Sequence, residues 1–142
     1  MADVTSKPET FREAIAEGFI KLRRETLKMI KEGLVEKGDV LAVSTVAAVQ
    51  AAKKTFELLP LTHNIPITHV SVTYEILDDG IKAIVTVKTT AKTGVEMEAL
   101  TGVALALLNI WDMVKKYEKD ELGQYPETVI SGIRIVRKVK GA

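Results

Sequence analysis

ITHVSVTYEILDDGIKAIVTVKTT, residues 67–90, is the stretch that decides the fold. Val70, Val72, Tyr74 and Ile76 alternate with His69, Ser71, Thr73 and Glu75, the period of two that marks a half-buried strand. Asp78, Asp79 and Gly80 make a turn, and residues 81–90 return as a second strand. The pair reads as an antiparallel hairpin. Helical patterns lie on both sides of it in sequence. Helices covering one face of an antiparallel sheet give an α+β sandwich.

Downstream, the longest helix is expected from about Gly94 to Tyr117. Leu100, Val103, Ala104, Leu107, Leu108, Trp111 and Val114 recur at three- and four-residue spacing and form its apolar stripe. ELGQYPET (121–128) is a loop, and VISGIRIVRKV (129–139) is a last strand. Upstream, Asp39 is the expected N-cap of an Ala-rich helix that runs to Leu59, where Pro60 stops it. LTHNIP (61–66) is then a connecting loop. Residues 25–33 read as a short helix closed by Gly33. FREAIAEGFIKL (11–22) fits two periods: Phe11, Ile15, Phe19 and Leu22 suit a helix, while Ala14, Ala16, Gly18, Ile20 and Leu22 suit one face of a strand. Residues 1–10 are expected as a loose arm. No repeat or linker interrupts the pattern, so residues 1–142 are read as a single domain.

A chain of 142 residues, 46% hydrophobic, has enough apolar material for a real core. A net charge of +1 leaves no nucleic-acid footprint overall, although a local basic pocket for a phosphorylated small molecule is compatible with it. Cysteine is absent, which excludes disulfides, thiolate catalysis and Cys-based zinc sites. With two histidines and no cysteine, a transition-metal site is not expected. The polar start, MADVTSKPETFREA, lacks the apolar core of a signal peptide. The most apolar run, LTGVALALLNIWDMV (100–114), is short and flanked by charge, so no membrane span is expected. The expectation is a cytoplasmic protein.

Several side chains have both a plain and a chemical reading. Thr93, Gly94, Val95 and Glu96 match a capping box, in which Glu96 reaches back to the Thr93 amide. Glu98, also in the first turn, favours the helix dipole and has no more specific packing role. Asp112 opposes the dipole at the other end, and Lys115 lies three residues on, within pairing distance. The pair is either a surface ion pair or an acid–base pair. A lysine serves as a base near neutral pH only where burial or a neighbouring cation lowers its pKa, and Lys116 could supply that repulsion. Lys37 precedes Gly38 and Asp39 at the mouth of the Ala-rich helix, where anions are attracted. His63 sits in the loop before the hairpin, and His69 falls on a strand's polar face. No Walker loop, dinucleotide fingerprint or nucleophile elbow is present.

Taken together, the segments KGDVLAVSTVAAVQAAKKTFELLPLTHNIPITHVSV, KTGVEMEALTGVALALLNIWDMVKK and FREAIAEGFIKLRRETLKMI resemble the cyclic pyranopterin monophosphate synthase family, molybdenum cofactor biosynthesis protein C. The resemblance covers nearly the whole chain, and KTGVEMEALT and KGDVLA are its most specific parts. It implies a ferredoxin-like fold assembled as a homohexamer, a trimer of dimers. The implied substrate is a cyclised GTP derivative, 3′,8-cyclo-7,8-dihydroguanosine 5′-triphosphate, converted to cyclic pyranopterin monophosphate with release of pyrophosphate. No cofactor is implied, and magnesium enters only as a companion of the triphosphate.

Carried over by motif, Lys37, Lys115 and Asp112 match the family's catalytic residues. Leu61, Thr62 and His63 match its substrate-binding loop, and Met97 and Glu98 its other substrate-binding pair, with Glu96 beside them. Arg12 and Arg23 are assigned to the triphosphate, and Lys116 and Lys138 join the expected substrate-binding cations. The family's loop usually reads Leu-Cys-His-Pro, whereas Thr62 and Asn64 stand here in place of the cysteine and proline. The competing reading is a non-catalytic, nucleotide-binding regulatory module on the same fold.

Glu98 and Asp112 would lie about 21 Å apart along one straight helix. A nucleotide-sized ligand does not span that distance comfortably. The expectation is a site completed by a second subunit, one giving the start of the helix and its partner the end.

Overall fold

The computed structural model describes residues 1–141. Eight elements follow in order: β1 (Thr10–Lys21), α1 (Arg24–Glu32), α2 (Val40–Lys53), α3 (Thr55–Leu58), β2 (Ile67–Ile76), β3 (Gly80–Ala91), α4 (Glu96–Glu118) and β4 (Val129–Lys140). The sheet order is β2-β3-β1-β4, and all three pairings are antiparallel. That order, with a helical layer on one face, is the ferredoxin-like α+β architecture.

The ambiguous segment is a strand in the middle of the sheet, β1, paired with both β3 and β4. Its even-numbered residues Arg12, Ala14, Ala16, Gly18 and Ile20 are buried beneath the helices. Phe11, Ile15 and Phe19, which had suggested a helix, occupy the other face and are half-buried. The inward residues are small because α4 presses close. A Cβ on Gly18 would stand 2.6 Å from Val103 Cγ1 and 2.8 Å from Leu107 Cδ1. On β3 the inward face is Ile81, Ala83, Val85 and Val87, and these join β1, α2 and α4 in one core.

Three sequence expectations change in detail. The Ala-rich helix is capped by Asp39, whose Oδ1 accepts from the Ala42 amide at 3.1 Å, but it stops at Lys53 and resumes as the short α3. Thr55 explains the break: its hydroxyl donates to the carbonyls of Ala51 and Ala52 at 3.0 and 3.1 Å. Second, α4 is rotated from the expected stripe. Ala99, Gly102, Val103, Ala106, Leu107, Ile110, Met113 and Val114 face inward, while Leu108 is 52% exposed. Small residues take the inner face where the helix approaches β3 and α2; a Cβ on Gly102 would be 3.2 Å from Val85 Cγ1 and 3.4 Å from the Ala48 carbonyl. Third, α4 has 23 residues and is apolar enough by length and composition to cross a membrane, but half of its most apolar window is buried inside the fold. The apolar helix is thus longer than the short run read from the sequence, and its hydropathy reflects core packing.

Of the ten residues expected as a loose arm, Thr10 already opens β1, and the nine before it are irregular yet not unattached. Lys7 N–H closes a turn onto the Val4 carbonyl at 3.0 Å. The Ala2 carbonyl lies 2.8 Å from His63 Nε2, and the Thr5 carbonyl accepts from Lys92 Nζ at 3.0 Å.

Candidate active site

The C-terminal half of α4 and the turn before α2 build the first cluster. Asp112 lies on the exposed side of the helix and Lys115 follows after one turn; their Oδ1 and Nζ are 3.1 Å apart. Lys37 arrives from a part of the chain 75 residues away, and its Nζ donates to Asp112 Oδ2 and to the Asp112 carbonyl, each at 3.0 Å. One carboxylate therefore bridges two ammonium groups. The hydrogen bonds from Lys37 and Lys115 hold the Asp112 pKa below its ordinary value. These groups, with Glu36, Met113, Lys116 and Tyr117, line a cleft of about 390 Å³.

Lys116 does not act on Lys115 as the sequence suggested. Its ammonium group is paired with the Glu36 carboxylate across the cleft. The contact pushes the Lys116 pKa up and the Glu36 pKa down. A cation so neutralised adds little repulsion to its neighbour.

The opposite end of α4 builds the second cluster. Leu61, Thr62, His63 and Ile65 from the loop face Thr93, Gly94, Glu96, Met97 and Glu98 around a cleft of about 200 Å³. The capping box does not form. Val95, fully buried, occupies the N-cap position, and Glu96 is already the first helical residue. Thr93 is then too far back along the chain to cap, and the Glu96 carboxylate turns over Gly94 toward Lys138, 3.3 Å from its Nζ. Glu98 is only 4% exposed. Burial raises its pKa, the nearby Glu96 charge adds to the rise, and its own backbone amide opposes it.

Arg12 belongs to this end as well. The residue is 4% exposed; its guanidinium donates from Nη2 to the Lys92 carbonyl at 3.3 Å and leaves Nε without a hydrogen-bond partner. Among the described residues no carboxylate pairs with it. Arg23 is at the far end of β1 and joins neither cleft. Its Nε faces Glu127 at 3.5 Å and Glu25 at 3.8 Å, and its amide donates to Glu118. The two arginines assigned together to the triphosphate are thus separated within one chain.

Two contributors escaped the sequence reading. Tyr117 Oη accepts from the Glu36 amide at 2.9 Å, beside Lys37. Glu118, fully buried, accepts from the Arg23 amide at 3.1 Å, from the Thr128 hydroxyl at 2.7 Å and from the Thr26 hydroxyl. Glu36 lies 81 residues from Tyr117, and Arg23 and Thr26 lie 95 and 92 residues from Glu118, so no local spacing could have signalled these contacts. Three acidic, histidine or cysteine side chains arranged to hold a metal do not occur among the described residues.

The model of the MoaC family matches residues 1–141. The chain belongs to the MoaC family. Its relatives extend over almost the same length. A protein of Aeropyrum pernix, named a probable cyclic pyranopterin monophosphate synthase, is 59% identical over 99% of this chain and 97% of its own. A second so named, from Sulfolobus acidocaldarius, is 57% identical over 99% and 98%. A third, from Methanothermobacter thermautotrophicus, is named a probable cyclic pyranopterin monophosphate synthase accessory protein and is 56% identical over 99% and 88%. Membership in the MoaC family places this chain among the enzymes of molybdenum cofactor biosynthesis.

Proposed function

We propose that this chain converts 3′,8-cyclo-7,8-dihydroguanosine 5′-triphosphate to cyclic pyranopterin monophosphate, releasing pyrophosphate. The observation that carries the reading is the array of Lys37, Asp112 and Lys115, with the carboxylate 3.0 and 3.1 Å from the two ammonium groups. A carboxylate between two lysines can exchange protons with either, as a rearrangement that opens one ring and closes another requires. The lysines also offer fixed positive charge where a phosphate would lose pyrophosphate. Asp112 and the lysines move protons during ring rearrangement. Attack of a substrate hydroxyl on the innermost phosphate forms the cyclic phosphate, its proton passing to a base while pyrophosphate leaves.

The second cluster supplies recognition. Thr62, His63, Met97 and Glu98 line its cleft, and Arg12 lies beside it as a buried cation without an acidic partner. An anion of the substrate would satisfy it. The two clusters stand about 21 Å apart along α4. We assign the complete site to two subunits, each giving one end of the helix, within a homohexamer. An outward apolar patch favours such an assembly: Leu108, Trp111, Tyr125 and Ile130 lie next to Asp112 and Lys115, and Val129, Ile133 and Val136 are exposed on β4.

The second reading is a non-catalytic, nucleotide-binding regulatory module; the word accessory in the name of the Methanothermobacter relative favours a non-catalytic role. Incubation with the cyclised substrate separates the two. The enzyme reading expects pyrophosphate and, after oxidation, a fluorescent pterin; neither product, with an active homologue as control, would sink it. Mixing Glu98→Ala and Lys115→Ala chains should restore activity if sites are shared. No recovery after proven subunit exchange would remove that part.

A further inference from the structure

Lys37 has a compact charged group on a long flexible stem, and its contacts to Asp112 are open to solvent: the two side chains are 48% and 55% exposed. Exposed ion pairs are screened and fix geometry poorly. Something else must set where this lysine stands. It lies in a four-residue turn closed by Gly38 N–H onto the Val35 carbonyl at 3.1 Å. Gly38 has φ 115°, a backbone conformation other residues rarely take, and Asp39 caps α2 immediately after. Val35 is buried and anchors the near side. On the far side, the turn has one backbone hydrogen bond to α4 among the described residues, from the Glu36 amide to Tyr117 Oη at 2.9 Å.

We propose that Tyr117 is a positioning residue for Lys37: its hydroxyl pins the Val35–Gly38 turn to the last turn of α4, so that the Lys37 ammonium reaches Asp112. The proposal rests on the reading of Lys37 as a catalytic lysine. Tyr117 suits the task because its ring packs against the core while its oxygen reaches outward to the turn. The competing tie is the Lys116–Glu36 ion pair, whose side chains are 62% and 69% exposed. Both ties are open to solvent, but the Tyr117 oxygen accepts directly from the turn's backbone, whereas the ion pair holds the turn only through two flexible, screened side chains.

Tyr117→Phe deletes only the oxygen, and Glu36→Ala deletes only the ion pair. Tyr117→Phe is expected to lower kcat about tenfold or more, because small displacements of a reacting group are expensive, while KM stays within about twofold. In the same variant, the Asp112 carboxyl, followed by carbon NMR across a pH series, should titrate closer to an ordinary aspartate, since Lys37 no longer donates steadily to it. Glu36→Ala should move the Asp112 titration less than Tyr117→Phe does; turnover is compared only for Tyr117→Phe, because Glu36 itself lines the cleft. Thermal unfolding and assembly size of both variants serve as controls on folding.

A kcat drop without the Asp112 shift, or the shift without the drop, overturns the proposal. So does the reverse ranking of the two variants in the Asp112 titration. If wild-type protein does not turn over the substrate, the functional reading fails. The Asp112 titration then decides alone whether Tyr117 holds Lys37.

Discussion

Replacing Glu118 by alanine should destabilise the protein strongly, although this residue touches neither cleft. Near the C-terminus of α4 a carboxylate opposes that helix's dipole, an unfavourable effect of about 0.3–1 kcal/mol. The same carboxylate lies at the N-terminus of α1, where it accepts from the Arg23 amide and the Thr26 hydroxyl, and it also accepts from Thr128 before β4. Arg23, the N-cap residue of α1, makes no side-chain cap of its own. Glu118 does that work from 95 residues away.

Glu118→Ala leaves three donors without their acceptor. At about 1–3 kcal/mol for each unsatisfied buried group, the loss is roughly 3–9 kcal/mol before relaxation. Hydroxyl rotation, entering water and the relieved α4 dipole return part of it, leaving about 3–4 kcal/mol. For a chain of this size that corresponds to a fall in Tm of roughly 10–15 °C. The assay is urea unfolding at neutral pH, with chain concentration held fixed because assembly contributes to apparent stability. Glu118→Gln, which keeps one acceptor but turns an NH2 toward donors, should fall between. A loss under about 1 kcal/mol in Glu118→Ala would refute the reasoning, because three buried donors could not have depended on this carboxylate.

The catalytic array predicts that Lys37→Ala, Asp112→Asn and Lys115→Ala each reduce turnover by about a hundredfold or more. Their unfolding midpoints should stay close to wild type, since all three groups are exposed; wild-type turnover in any one removes it from the mechanism. Glu98 predicts a trade of stability against function. Its folded pKa is raised, so between the unfolded and folded values the native state holds more protons and stability falls as pH rises; the penalty persists above that window. Glu98→Gln should therefore raise Tm at pH 7, lose the gain below about pH 4, and weaken substrate binding. A gain independent of pH would contradict this. Gly18→Ala should destabilise by about 1–3 kcal/mol, because its Cβ would stand 2.6 Å from Val103. Val103→Ala in the same chain should recover part of the loss, and additive urea midpoints would refute the contact.

The β2–β3 hairpin was legible because one face is half-buried and the turn residues are explicit, and the α1 and α2 ends because Gly33 and Asp39 act locally. β1 was not, since small inward residues and half-buried phenylalanines satisfy both periods at once. The capping box failed because burial of Val95, a tertiary effect, sets where α4 begins. The α4 stripe misled because bulk marks hydrophobicity, while the inner face selects small side chains. At the candidate site, the Asp112–Lys115 contact follows from helical spacing. Resemblance supplied Lys37 as a catalytic candidate; its meeting with Asp112, and the roles of Tyr117 and Glu118, needed the fold.

The strand order has a consequence for biosynthesis. β1 comes first in the chain yet sits inside the sheet, between β3 and β4. A growing polypeptide that has reached Leu77 has no strand for it to pair with, because its first neighbour begins at Gly80. Its other neighbour begins at Val129, and the acceptor for the Arg23 amide is Glu118. β1 therefore leaves the ribosome as a strand without its sheet partners, and its native pairings are closed from the far end of the chain.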